Sequence, residues 1–97
     1  MVLEIAEYTA APGKAEELQA GLARAREIIR GAQGCRAIAL RRCVEEPERF
    51  IFTIEWETIE DHTVTFRGGP LFPQYRAQIA GLVEGAIVAR HYQTVEG

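Results

Sequence analysis

Neither serine nor asparagine occurs anywhere in this chain, and lysine occurs only once, at Lys14. The first absence excludes a serine-nucleophile hydrolase. The lone lysine follows Pro12-Gly13, which lacks the glycine spacing of a phosphate-binding loop, and any Schiff-base chemistry would rest on that one side chain. Cysteine is almost as scarce. Cys35 and Cys43 fall within what reads as one strand, about 26 Å apart along an extended backbone, too far for a disulfide or a shared metal ion. No apolar run approaches the roughly 20 residues of a membrane span, and residues 1–12 lack the basic start and long apolar core of a secretion signal, so the expected compartment is cytoplasmic. A formal net charge of −3 supplies no clustered positive charge for a phosphate backbone, and nucleic acid is not an expected partner.

What is present describes one domain. Ninety-seven residues, 47% hydrophobic and 26% charged, have the size and composition of a single globular unit over residues 1–97. Val2 to Thr9 alternates as a first strand, with Leu3 and Ile5 on one parity and Val2, Ala6 and Tyr8 on the other. Pro12-Gly13 punctuates. From Lys14 to Arg30 the positions Ala15, Leu18, Leu22, Ala25 and Ile29 recur at helical steps, with Glu16 and Glu17 in the first turn and Arg30 in the last. Cys35 to Val44 and Arg49 to Glu57 read as strands joined by the polar turn Glu45-Glu46-Pro47-Glu48, an antiparallel hairpin. The second of these has a strongly aromatic parity: Phe50, Phe52, Ile54 and Trp56.

Thr58-Ile59-Glu60-Asp61 resembles a capping box with aspartate in the usual glutamate place, opening a short helix that ends at Gly68-Gly69. Pro70 and Pro73 suit only a first helical turn, so the next helix is expected to become regular near Pro73 and run to about Ala80, with Phe72, Tyr75, Ile79 and Leu82 as its apolar stripe. Gly85 to Thr94 alternates into a fourth strand, with Ile87, Ala89 and His91 on one face. The order β-α-β-β-α-β, its second helix split, is the α+β, ferredoxin-like arrangement: a four-stranded antiparallel sheet with helices on one face. The other face keeps residues such as Ile51 and Thr53, and a second copy laid face to face would cover it, which predicts a homodimer through the sheet faces.

At this point the chain resembles the antibiotic biosynthesis monooxygenase superfamily, the dimeric α/β-barrel domains. The resemblance covers almost the whole chain. It rests on Pro12-Gly13-Lys14-Ala15-Glu16-Glu17-Leu18 opening the first helix, on Phe52-Thr53-Ile54-Glu55-Trp56 ending the aromatic strand, and on His62 six residues after Trp56. Phe66-Arg67, Gly69-Pro70-Leu71-Phe72 and Tyr75-Arg76 continue the pattern. It implies a pocket between sheet and helices in which characterised relatives oxygenate phenolic or quinol compounds with O2, without flavin or metal, so no cofactor is expected. Other relatives degrade haem with an Asn-Trp-His set. The absence of asparagine argues against that here.

Oxygenation of this kind requires a proton acceptor and a holder for the resulting anion. His62, Tyr75 and Trp56 are the candidate catalytic residues, and Phe52, Phe72 and Arg76 the candidate substrate contacts. His62 has an ordinary pKa near neutrality; Arg76 is a permanent cation for a phenolate; Trp56 and Tyr75 offer a ring face and a hydrogen-bond donor. Each has a plainer reading. Trp56 would serve as core, His62 would sit on an exposed helix beside Asp61, Arg67 and Arg76 would make surface or dimer ion pairs, and His91 would be structural. His62 and His91 lack the close spacing of zinc ligands, so a metal site built from them and a carboxylate is not expected. Two functions remain: a cofactor-independent monooxygenase acting on a small aromatic phenol or quinol, and a non-catalytic small-molecule-binding or dimerisation module on the same fold.

Overall fold

Period-two and period-3.6 patterning resolves into four strands and three helical segments. The computed structural model, which describes residues 1–97, runs β1 (Val2–Thr9), α1 (Ala15–Arg30), β2 (Cys35–Arg42), β3 (Arg49–Trp56), a π-helical segment (Asp61–Phe66), α2 (Leu71–Ala77) and β4 (Val88–Tyr92). The strands form one antiparallel sheet in the order β2-β3-β1-β4, the ferredoxin-like α+β topology. Leu18, Leu22, Ala25 and Ile29 of α1 join Ala6, Tyr8, Phe50, Phe52, Ile54 and Trp56 of the sheet in one core, all at most 2% exposed. Gly21 lets α1 approach the end of α2, because a Cβ there would run into the Gln78 carbonyl.

Boundaries move where tertiary contacts override local pattern. β2 stops at Arg42; Cys43 N–H still bonds the Arg49 carbonyl, but Val44 is out in solvent. A bulge between Cys35 and Ala37 sets Cys35 opposite Trp56 and Ile38 opposite Ile54, so cysteine and isoleucine of opposite sequence parity meet the same face. α2 begins at Leu71 rather than Pro73, because Pro73 falls within its first turn, where a missing N–H removes no helical bond. It ends at Ala77 as the chain tightens into three-residue steps, Gln78 N–H to Tyr75 and Ile79 N–H to Arg76. β4 is confined to Val88–Tyr92. The segment before it is held instead by an isolated bridge between Ala10 and Val83 and by Glu84 N–H on the Thr9 carbonyl.

The connection from β3 to the π-helical segment positions the site. Thr58 and Asp61 form the expected reciprocal cap, Thr58 N–H on Asp61 Oδ2 at 3.1 Å and Asp61 N–H on Thr58 Oγ1 at 3.2 Å. Gly34, at φ +80°, closes over this cap, and any Cβ there would collide with the Asp61 carboxylate. The helical turn that follows is wound wide: Arg67 N–H reaches the His62 carbonyl five residues back. Such wide turns recur at functional sites. No helix of the chain is long and apolar enough to cross a membrane.

Candidate functional site

Alternation along β1 places Glu4, Ala6 and Tyr8 on the inner face, and pairing sets Glu4 beside Ile54 on β3 and beside His91 on β4. A carboxylate buried at 4% exposure needs partners. Trp56, at the end of β3, donates its indole N–H to Glu4 Oε1 at 2.9 Å. The imidazole of His62 lies flat against the Trp56 ring, centroids 5.3 Å apart and planes 14° from parallel. Its Nδ1 is 2.7 Å from His91 Nε2 and 3.5 Å from Glu4 Oε1. On the other side Tyr8 and Tyr75 share a hydrogen bond of 2.7 Å between their hydroxyls. In such a pair the accepting hydroxyl keeps its own hydrogen, so one O–H remains to donate to a ligand.

Between these groups lies a cavity of about 180 Å³, lined among others by Glu4, Tyr8, His62, Phe66, Phe72 and Tyr75. It is comparable to an apolar cavity of about 150 Å³ that admits benzene, and thus has room for one aromatic ring. Arg67 and Arg76 also line it. The other eight arginines each have a hydrogen-bonded side-chain partner, whereas these two have none. Two unneutralised guanidinium groups therefore overlook a ring-sized space.

Burial and these guanidiniums set the protonation states. His62 is pushed down to about 4, first by burial, then by the charges of Arg67 and His91. The imidazole is accordingly neutral at pH 7, and its 3.5 Å approach to Glu4 is not an ion pair. His91 is lowered for the same first reason, with Arg67 adding to it. Burial raises Glu4, against the opposing pull of the Trp56 N–H and Arg67. Tyr8 is raised well above its ordinary value by burial and by its neighbour Tyr75, and Tyr75 is raised by burial.

The model of the antibiotic biosynthesis monooxygenase family matches residues 1–78. The chain belongs to that family. A Bordetella bronchiseptica crystal structure bearing the same family name is 33% identical, superposes with a TM-score of 0.91, and is matched over 98% of this chain and 97% of its own. YczJ of Bacillus subtilis, itself uncharacterized, is 32% identical over 95 residues, 98% of this chain and all of the relative. A Deinococcus radiodurans structure of the same family name, at 20% identity and a TM-score of 0.82 over the whole of this chain and 95% of its own, shares the fold.

Within this antibiotic biosynthesis monooxygenase fold, His62, Phe72, Tyr75 and Arg76 come together on the cavity wall. His62 is buried, not on an exposed helix, because the Thr58–Asp61 cap turns it inward. Two anticipated residues stand behind the wall. Trp56 is wholly buried and touches the cavity wall only from behind, through its contacts with His62 and Glu4. Phe52 is likewise wholly buried, edge-on to Tyr8 at 5.6 Å, and so supports the tyrosine instead of meeting a ligand. Glu4, Tyr8 and His91 were not singled out as site residues in the sequence. For Glu4 a signal existed: it shares the parity of Val2, Ala6 and Tyr8, a carboxylate on an otherwise apolar face.

Proposed function

We propose that this chain is a cofactor-independent monooxygenase acting on a small phenol or quinol. One observation carries the reading: a buried, neutral imidazole opens onto a ring-sized cavity overlooked by two unpaired guanidiniums. The reaction class balances without an external reductant, since a phenol and O2 give a quinone and water, the ring losing the electrons and one oxygen atom entering it. His62 accepts the phenolic proton, Tyr8 or Tyr75 donates a hydrogen bond to the substrate oxygen, and Arg67 and Arg76 hold the anion. A base near 4 facing an ordinary phenol near 10 leaves proton transfer about 8 kcal/mol uphill. Stabilisation of the anion must therefore supply more of the driving force than the base, which favours easily ionised quinols and gives the arginines the larger part.

Oxygen uptake by metal-free protein with a panel of hydroquinones and naphthols tests this. The single-ring hydroquinones are expected to react faster, and His62→Ala and Tyr75→Phe are each expected to lower the rate about tenfold or more. No uptake above buffer, and rates indifferent to both substitutions, would leave the non-catalytic binding module as the reading.

The outer sheet face supports a homodimer as the working form. Leu3, Ile5 and Ile51 lie there among Thr53, Val88 and Tyr92, and Val88 and Tyr92 are exposed. A second copy laid sheet to sheet removes this surface from water. Sedimentation is expected to give twice 10.8 kDa; a monomer at micromolar concentration contradicts it.

A further inference from the structure

Glu4, His62 and His91 come from three elements, β1, the π-helical segment and β4, yet one donor atom of each lies within 4.8 Å of the other two. We propose that these three side chains bind one divalent transition-metal ion of the zinc class, an ion that the oxygenation reading above does not require and that would compete for its base, His62.

The donor chemistry is the first argument. Two imidazoles and one carboxylate are the three-protein-ligand set of open zinc sites, in which a fourth position is left for water or an exogenous ligand. Here Glu4 and His62 both line the cavity, so the fourth position faces space a ligand can occupy. Geometry is the second. Donor atoms around a tetrahedral ion with bonds of about 2.1 Å lie about 3.4 Å apart. Glu4 Oε1 and His62 Nδ1 are already 3.5 Å apart. His62 Nδ1 and His91 Nε2, at 2.7 Å, must separate by less than an ångström. His91 can give way, since it is only half-buried and stands on β4, an edge strand.

Preorganisation is the third. Glu4 and His62 are about 95% buried, and Glu4 is oriented from behind by the Trp56 N–H, the kind of outer partner that fixes a metal-bound carboxylate. For these two ligands little ordering is left to be done on binding. Arg67 opposes the ion electrostatically, but its side chain is exposed and free to turn to water or to a fourth, anionic ligand. A bound ion occupies the nitrogen lone pair with which His62 would accept a proton, so the two uses of the site exclude each other.

The test is titration of chelator-stripped protein with Zn2+ by calorimetry and with Co2+ by visible absorption. One ion per chain is expected, with the ligand-field bands of a four-coordinate Co2+ ion, and His91→Ala and Glu4→Gln are each expected to weaken binding at least about tenfold. His91→Ala removes a half-exposed edge-strand side chain, and its thermal transition confirms that it folds. No binding at submillimolar zinc overturns the proposal. So does binding that both substitutions leave unchanged, which would move the ion elsewhere, Cys35 or Cys43 included. Neither readout depends on catalysis. Loss of oxygen uptake in His62→Ala without any metal binding would leave the oxygenase reading intact and remove this one.

Discussion

Replacing Trp56 by phenylalanine is expected to cost about 3 kcal/mol of unfolding free energy, more than its lost volume explains. The side chain is wholly buried, and its N–H is the 2.9 Å partner of the Glu4 carboxylate. Phenylalanine keeps a ring against His62 but leaves a buried carboxylate with only an imidazole nitrogen at 3.5 Å. Of the total, about 1 kcal/mol belongs to the smaller ring and about 2 kcal/mol to the orphaned charged acceptor. A double-mutant cycle with Glu4→Met separates the two, because once the carboxylate is gone the phenylalanine leaves nothing unpaired. Urea unfolding of the four proteins should show a coupling of about 1–2 kcal/mol. Strictly additive costs would mean that the indole is ordinary core and that Glu4 is satisfied in some other way.

Acidification gives the second large effect. In the folded, metal-free chain His62 takes up its proton only near pH 4, against 6.5 for an ordinary histidine. Between those values the unfolded chain binds a proton that the folded one refuses, so stability is complete above 6.5 and is lost as pH falls toward 4. The loss from His62 between pH 7 and 4.5 is about 2 kcal/mol. His91, lowered in the same direction, adds to it. Glu4 works oppositely: its folded-state value is raised, so its contribution is lost as pH rises above 4.5. Comparing wild type with His62→Gln isolates the histidine, since the other two groups are present in both. The variant's stability should fall less steeply across this window, and parallel curves would falsify the assignment of a buried neutral imidazole.

Much of this molecule was legible from local pattern because its causes are local. Leu18, Leu22 and Ala25 recur at helical steps, and that alone makes one face of α1 apolar. Phe50, Phe52, Ile54 and Trp56 alternate and so must face one side of a strand. Thr58 and Asp61 are three residues apart, within reach of each other in any helical turn, and their cap formed as expected. The wide turn after it was not legible. It accompanies the docking of His62 against Trp56 and His91, contacts that no helical propensity encodes.

By itself, then, the sequence determined the β-α-β-β-α-β order, the apolar faces of α1 and β3, the family, and the candidacy of His62, Phe72, Tyr75 and Arg76 for one pocket. Tertiary structure alone decided that Glu4, His62 and His91 meet, that Tyr8 pairs with Tyr75, and that Trp56 and Phe52 stand behind the wall. The physical reason is register. Glu4 and His91 are 87 positions apart, and they become neighbours only because β1 and β4 pair with Glu4 opposite His91. A slip of one residue would turn the histidine to the outer face, and the sum of contacts along the whole sheet is what prevents it.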